Sequence, residues 1–224
     1  MIKKISNLGD SALYCDFGND VNQTINSRVI KIFRNLRKNT IKGITNITPS
    51  YNKLIISFDL DVINFEQLEE KITQMKIEDF GEVDKRIVKI PVCVDEEFSL
   101  DLKRLSEKLK INENEIIKSF LSKEYFCYMT GFIAGMPFMG DVNESLRLNR
   151  LETPRVKVPK GSIGITEQFC NIYTYDSPGG WNIIGNTPVE IFDKFKVDDP
   201  VKIRPGDSVI FYKINKKEYS NWNE

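Results

Sequence analysis

The segment from Thr130 to Asp193 places the strongest constraint on how this chain of 224 residues can fold. It holds eight of the 13 glycines and five of the nine prolines. A helix needs a longer uninterrupted stretch with an apolar period of about 3.6 residues, whereas the apolar runs here are short and end at Gly or Pro. We therefore expect short strands joined by turns, the pattern of a β-barrel or β-sandwich.

The N-terminal part of the chain has helices between its strands. Apolar spacing predicts one helix over Val21–Leu36, capped by Asn19-Asp20, and a second over residues 65–75. Apolar runs predict strands at Lys3–Ile5, Ser11–Phe17, Ile44–Thr48, Lys53–Phe58 and Ile87–Val94. The order strand, helix, strand, strand, helix, strand predicts a two-layer α+β sandwich of ferredoxin-like type, ending at the charged segment Asp84–Arg86. We expect one domain over residues 1–86 and a second over 87–224.

The second domain is expected to begin with helices and continue as strands. Helices are predicted at Asp101–Leu109, capped by Ser99 or Asp101, and at Asn112–Leu121. Strands are predicted at Tyr125–Met129, Ser162–Ile165, Asn171–Tyr175, Asn182–Ile184, Val189–Phe192 and Ser208–Lys213. The polar tail from Lys216 to Glu224 is expected to be loosely ordered, with Trp222 able to dock.

Charge and histidine content exclude several classes of function. Lys+Arg and Asp+Glu both number 32, and the absence of a basic excess argues against nucleic acid as the main partner. Histidine is absent, which rules out histidine triads, histidine metal sites and a histidine general base within this chain. Acid–base chemistry would then fall to carboxylates, Lys, Tyr, Cys, bound water or a partner protein.

The cysteines and the N-terminus point to a cytoplasmic protein. The four cysteines are far apart in sequence and three have apolar and aromatic neighbours, so we expect buried thiols and no metal site. The N-terminus lacks the apolar run of a signal peptide, and no window approaches a membrane span.

Three motifs within residues 130–193 are candidates for a binding site. Adjacent glycines in Ser177–Trp181 allow positive φ angles and an anion-binding nest, or a tight hairpin turn with Trp181 buried beneath it. Strand alternation places Arg155 and Lys157 on one face, opposite Val156 and Val158, either to bind a carboxylate or phosphate or as solvated charges. Residues 131–140 carry Phe132 and Phe138, which line an apolar pocket wall, form a subunit contact or pack as a core loop. No P-loop or dinucleotide-binding glycine pattern occurs.

Taken in order, these segments resemble the KipI family, which comprises the B-type subunits of 5-oxoprolinase. The same family is called allophanate hydrolase subunit 1, or carboxyltransferase subdomains C and D. The segments that carry the resemblance are Gly131-Phe132, Pro154-Arg155, Val158-Pro159, Gly161–Ile165, Ile172-Tyr173, Ser177–Trp181, Ile184-Gly185, Thr187-Pro188, Phe192-Asp193 and Pro205–Asp207. Weaker matches to the family pattern occur nearer the N-terminus, so the resemblance covers nearly the whole chain.

The resemblance implies a ferredoxin-like domain followed by a cyclophilin-like β-barrel. It implies a hydrolase subunit, inactive alone, of an enzyme that uses ATP with Mg²⁺ to open the lactam of 5-oxo-L-proline to L-glutamate. Its partners would be a C-type (KipA-like) and an A-type subunit of the same enzyme. Two alternatives stay open: a KipI-like inhibitor of a sensor histidine kinase, or an allophanate hydrolase or carboxyltransferase-type subunit for another amide.

The resemblance also suggests which residues bind the substrate. Arg155 and Arg150 would bind a carboxylate or phosphoryl group, and an Arg155→Ala change is expected to cost little stability. The full predicted set comprises Arg150, Arg155, Lys160, Tyr173, Ser177, Gly179, Gly180 and Trp181, with Phe132 and Phe138 as walls. The chain departs from the family pattern at Phe120, Ala134 and Glu167–Asn171, and larger residues at 167–171 should narrow or re-charge the pocket.

Overall fold

The computed structural model describes residues 2–76 and 86–223, and the chain divides into two compact units, Met1–Asp84 and Lys85–Glu224. Asp84 and Lys85, in the segment expected to mark the boundary, lie outside the described residues, and the division at residue 86 stays a prediction. None of the helices in the described ranges has the length and apolar character needed to cross a membrane.

Within residues 2–76, two helices pack on a four-stranded antiparallel sheet whose strand order is β1-β2-β4-β3. The elements are β1 (Lys4–Asn7), β2 (Ala12–Asp16), α1 (Gln23–Lys38), β3 (Ile44–Pro49), β4 (Lys53–Phe58) and α2 (Phe65–Gln74). Helix α1 contacts β3 and β4, and α2 contacts β2. The α+β class is confirmed, but the edge strand beside β2 is β1 and not the predicted strand Ile87–Val94.

Both helices are fixed by an apolar face and an asparagine cap. In α1 the buried residues include Val29, Ile32 and Leu36, the spacing that predicted the helix. The cap is Asn22, whose side chain accepts a hydrogen bond from the Ile25 amide, so the prediction of Asn19-Asp20 was wrong. Helix α1 begins at Gln23, two residues after the predicted start at Val21, because the side chain that caps its first turn is that of Asn22.

Within residues 86–223, seven strands close into a barrel in the order β10-β7-β6-β13-β5-β12-β9. The elements of this unit are β5 (Ile87–Cys93), α3 (Leu102–Leu109), α4 (Glu113–Leu121), β6 (Glu124–Thr130), β7 (Pro137–Gly140), β8 (Arg155–Val158), β9 (Ser162–Thr166), β10 (Phe169–Ile172), β11 (Ser177–Gly179), β12 (Asn182–Asn186), β13 (Ser208–Ile214) and α5 (Lys216–Ser220). Strands β8 and β11 form a separate two-stranded sheet. The predicted barrel is confirmed, and Ile87–Cys93 belongs to it through parallel pairing with β13.

Side-chain alternation separates the barrel interior from its outer face. Ile163, Ile165, Cys170 and Ile172 are buried in the main core cluster of this unit. The residues between them, such as Gly164 and Asn171, therefore point to the opposite side of the sheet. This outer face of β9 and β10 is where polar groups can gather without entering the core.

Two predictions for the end of the chain were wrong. Val189–Phe192 is not a strand; Phe192 makes a single bridge to Val201. The tail contains helix α5, which begins with a capping box between Asn215 and Glu218. The tail is ordered by contacts with residues that are distant in sequence. Trp222 packs against the barrel core, and the Tyr219 hydroxyl donates to Asn186 at 2.8 Å.

We expect the native protein to resist thiol reagents. All four cysteines are buried. Burial raises the pKa of Cys15 to about 12 and also raises the pKa of Cys93, Cys127 and Cys170. Because the thiolate is the reactive form, Ellman's reagent at about pH 8 should release less than about one thiol equivalent from folded protein and about four in urea. Rapid reaction of two or more thiols without urea would contradict this packing.

A second prediction concerns the barrel core. The Phe120 ring lies 4.9 Å from the Tyr125 ring and 5.0 Å from the Phe211 ring, centroid to centroid. Phe120→Ala should lower the free energy of unfolding, measured by urea denaturation, by about 3–5 kcal/mol through lost contacts and a cavity. The control is Phe195→Ala, because Phe195 is 82% exposed and its loss should cost within about 0.5 kcal/mol. Equal effects in the two variants would contradict the assigned core.

Candidate functional site

A polar cluster lies on the outer face of the barrel, where the β8–β11 sheet approaches β9, β10 and β12. We call it the outer-face site, and its polar members are Asp101, Arg155, Asn171, Tyr173 and Ser177. An apolar group is buried with it and comprises Met136, Val158, Tyr173 and Ile183, with Ile133 and Phe138 against them. The site thus combines buried polar groups with an apolar lining, as small-molecule sites usually do.

A β-bulge in β8 decides which side chains enter this site. Ser177 pairs with Val158 and Gly179 pairs with Arg155, so two intervening residues of β8 oppose only one of β11. Val158 is fully buried, while Val156 is 89% exposed. The predicted alternation, with Arg155 and Lys157 on one face, was wrong because the extra residue turns Arg155 and Val158 inward and leaves residues 156 and 157 in solvent.

The two predicted charges therefore have different surroundings. Lys157 forms an exposed ion pair with Asp176, with 2.6 Å between nitrogen and oxygen. Arg155 pairs with the buried carboxylate of Asp101, where Nη2 donates to Oδ1 at 2.6 Å. The other carboxylate oxygen of Asp101 accepts from the Ile183 amide at 2.7 Å. Only Lys157 is thus a solvated surface charge.

The guanidinium of Arg155 is only partly used by this pair. Its Nη1 atom is buried and has no hydrogen-bond partner among the described residues. Ser177 Oγ, on the strand opposite, is likewise buried without a partner in that part of the chain. Buried polar groups normally find a partner, so these two atoms mark a place where one is missing.

Tyr173 lies beside Arg155 under the β8–β11 sheet. A side chain at Gly179 would overlap the Tyr173 hydroxyl, so only glycine lets β11 approach this closely. Burial raises the pKa of Tyr173, and the nearby Asn171 amide, the Trp181 backbone and the charge of Arg155 offset part of that rise. The phenol is therefore neutral at pH 7 and has a proton available for a hydrogen bond.

Asn171 sits in a row of residues that crosses four strands. Its register partners are Phe138 on β7 and Gly164 on β9, and Gly164 in turn pairs with Ile183 on β12. A Cβ atom at Gly164 would lie 2.7 Å from Asn171 Oδ1 and 2.9 Å from Trp181 Cβ. Gly164 therefore leaves the room that the asparagine and the tryptophan occupy.

Trp181 and Phe138 form the apolar edge of the site. Their rings meet edge to face with centroids 5.6 Å apart, and both side chains are half-buried.

The predicted hairpin turn is absent, because Ser177–Gly179 is the strand β11. Neither Gly179 nor Gly180 is among the positive-φ glycines of the described chain, so the predicted backbone nest is also absent.

The other predicted site residues lie at the periphery. Lys160 Nζ pairs with Glu190 at 2.5 Å on the surface. Arg150 is exposed, and the next residue, Leu151, donates its amide to the carbonyl of Gly180 at 2.7 Å. Phe132 is 73% exposed. The structure brings Arg155, Tyr173, Ser177, Gly179, Trp181 and Phe138 together and leaves Lys160, Arg150 and Phe132 outside the cluster.

Sequence reasoning missed two members of the site. Asp101 was predicted only as a possible helix cap; it does occupy the cap position of α3, but its side chain makes no cap hydrogen bond and binds Arg155 instead. Asn171 was noted only as a departure from a family pattern. An asparagine inside the apolar run Phe-Cys-Asn-Ile-Tyr was the available signal, since a buried amide needs a specific partner.

The described residues give no direct indication of a nucleotide or metal site. Within residues 2–76 and 86–223, no three Cys, Asp or Glu side chains come together as a group that could hold a metal ion. The glycines at 179 and 180 provide no nest for phosphate. No chemical step is therefore assigned to ATP or Mg²⁺ on this part of the chain.

Comparison with known proteins agrees with this architecture. The sequence matches the family described as carboxyltransferase domain, subdomain C and D, over residues 3–202. It is 32% identical to the B-type subunit of 5-oxoprolinase from Bacillus subtilis over 235 residues, covering 99% of this chain and 97% of that protein. Urea amidolyase of Saccharomyces cerevisiae is 21% identical over 247 residues, which span 96% of this chain and 13% of that protein.

A solved structure extends the match to three dimensions. The crystal structure of TTHA0988 superposes with a TM-score of 0.83 at 28% identity, covering 91% of this chain and 40% of that one. This chain thus spans about two fifths of the length of TTHA0988. The family match over residues 3–202 and the end-to-end likeness to the Bacillus subtilis protein confirm the resemblance: the chain belongs to the carboxyltransferase subdomain C and D family.

Proposed function

We propose that this chain is the B-type subunit of an ATP-dependent 5-oxoprolinase, which opens the lactam ring of 5-oxo-L-proline to give L-glutamate. The observation that carries the proposal is the likeness to the corresponding Bacillus subtilis subunit over 99% of this chain. The chain would work with a C-type and an A-type subunit and would be inactive alone.

The outer-face site suits such a substrate. 5-Oxo-L-proline is a small ring with one carboxylate and one lactam, and Arg155 Nη1 is a buried, charged donor without a partner among the described residues. A guanidinium edge pairs strongly with a carboxylate when water is excluded. The rings of Phe138 and Trp181, which meet edge to face, supply an apolar wall beside it.

The chemistry available to this chain is binding, orientation and hydrogen bonding. Because burial raises the pKa of Tyr173, its hydroxyl is protonated at neutral pH and can donate to an amide oxygen that gains negative charge. Arg155 would hold the carboxylate and so fix the ring against Tyr173. ATP, used with Mg²⁺ by the complex, supplies the activation of the amide, and we propose that it binds to residues other than those described here.

A carboxyltransferase-type subunit for another amide is the second candidate. The likeness to urea amidolyase over 96% of this chain favours it. Both candidates require an amide in the site. They differ in whether the ligand carries a carboxylate for Arg155.

Reconstitution tests the proposed activity. The chain, co-expressed with its C-type subunit and combined with the A-type subunit, should release glutamate from 5-oxo-L-proline only when ATP and Mg²⁺ are present. The chain alone should release none, which is the control. Glutamate is measured by a coupled dehydrogenase assay. If a well-folded complex of all three proteins leaves 5-oxo-L-proline intact, the proposed function is contradicted.

A second test targets the carboxylate contact. Arg155→Ala is unsuitable, because it would leave Asp101 as an unpaired buried charge and cost about 3–5 kcal/mol of stability. The expectation that it would cost little assumed an arginine with only solvent around it, whereas the Asp101 side chain that Arg155 pairs with is only 3% exposed.

The variant to use is Arg155→Lys. It keeps a cation for Asp101 but loses the second guanidinium nitrogen, so KM for 5-oxo-L-proline should rise about 10- to 100-fold. Lys157→Ala is the matched control, because Lys157 is 68% exposed on the same strand, and its KM should stay within about twofold. An unchanged KM in Arg155→Lys would show that Arg155 does not bind the substrate carboxylate.

A further inference from the structure

Asn171 is the least satisfied polar side chain among the described residues of the second unit. It is fully buried, and neither its Oδ1 nor its Nδ2 has a hydrogen-bond partner there. Its amide lies near enough to Tyr173 to lower the pKa of the phenol, but the two groups form no hydrogen bond of normal geometry.

The unsatisfied atoms of the described chain are concentrated in one place. Four buried side-chain atoms without a partner in those residues belong to Asn171, Arg155 and Ser177. Each buried polar atom left without a partner destabilises the folded protein relative to a satisfied one. Their concentration therefore calls for a partner that the described chain does not itself supply.

The surroundings of Asn171 define what that partner must look like. Phe138 lies on one side of it in the sheet, and Gly164 lies on the other side without a side chain. The half-buried Trp181 borders the same glycine. A group that reaches Asn171 must therefore be thin and flanked by apolar surface, and it would lie near Tyr173, whose pKa is affected by both Asn171 and Arg155.

The side chain of Asn171 is a primary amide, which presents one donor and one acceptor side by side on the same edge. A trans peptide group cannot match that edge, because its N–H and C=O point in opposite directions. The cis amide of a small lactam ring does match it, with its own N–H and C=O on one edge. The pair then forms two parallel hydrogen bonds.

We propose that Asn171 is a specificity-determining residue that pairs with the cis-amide edge of a lactam, while Arg155 Nη1 binds the carboxylate next to the lactam nitrogen. This proposal rests on the proposed function and specifies how the substrate is recognised. Ser177 Oγ completes the set as a third group that the described chain leaves unpaired, available to the carboxylate. The residue that recognises the ring is thus one of those by which this chain departs from its family pattern.

The assignment makes a prediction about substrate analogues. In the lactone analogue of 5-oxo-L-proline, a ring oxygen replaces the N–H, so an acceptor would face Asn171 Oδ1. The wild-type complex should bind the lactam about 100-fold more tightly than the lactone, since sites built around a hydrogen bond reject analogues that lack it. In Asn171→Leu this preference should fall to within about threefold, because leucine offers neither donor nor acceptor. Isothermal titration of the assembled complex with each compound measures both ratios.

Stability distinguishes a ligand-binding amide from a structural one. Asn171→Leu replaces unpaired polar atoms with apolar ones of similar volume, so the melting temperature of the ligand-free chain should stay the same or rise by about 2–4 °C. Asn182→Leu is the control, because its Nδ2 donates to the carbonyls of Asn149 at 3.2 Å and Ile165 at 3.1 Å. That variant should melt at least about 4 °C lower.

The outcomes separate this proposal from the function on which it rests. A complex that hydrolyses 5-oxo-L-proline but keeps its full lactam preference in Asn171→Leu would overturn the role of Asn171 alone. A fall in melting temperature like that of Asn182→Leu, with the lactam preference retained, would assign Asn171 to a structural water instead. A wild-type complex that neither binds nor hydrolyses the lactam would overturn both the function and the proposal.

Discussion

The buried ion pair between Asp101 and Arg155 holds the outer-face site together. Asp101 stands at the start of α3, and its backbone amide donates to the Ile183 carbonyl on β12. Its carboxylate accepts from the Ile183 amide and from Arg155 on β8. The Asp101 carboxylate is only 3% exposed, and a buried charge of this kind is stable only when hydrogen bonds satisfy its remaining lone pairs. The pair therefore fixes the β8–β11 sheet against the barrel and presents the unused edge of the guanidinium to the interior of the site.

Two glycines allow the close packing around this pair. Glycine at 179 lets β11 approach Tyr173, and glycine at 164 leaves the room that Asn171 and Trp181 occupy. Neither glycine has a positive φ, so their role is close approach and not turn geometry. An alanine at either position would place a methyl group where the site is narrowest, which links the glycine content of residues 130–193 to binding and not only to folding.

Local patterns predicted the elements, while the site depends on contacts that no local pattern contains. Gly and Pro spacing predicted the barrel, and apolar spacing predicted α1 to within two residues at each end. The bulge in β8 escaped prediction because Arg-Val-Lys-Val fits a regular strand equally well, and one extra residue reverses which side chains face inward. The role of Asp101 escaped because its partner is 54 residues away. The position of Asn171 beside Phe138 and Gly164 follows from strand register, which no local pattern contains.

The fold tolerates the unpaired polar atoms of the outer-face site because these atoms lie outside the barrel core. The barrel strands present apolar faces inward, where the Tyr125 and Phe211 rings pack with Phe120 of α4, and the polar groups of the site lie on the opposite face of β9 and β10. Unpaired atoms on Asn171, Arg155 and Ser177 can then destabilise the outer layer by several kcal/mol without opening the core. Such a division is expected where binding requires groups that folding alone would not select. A ligand that satisfies those atoms would therefore tighten the β8–β11 sheet onto the barrel while leaving the interior unchanged.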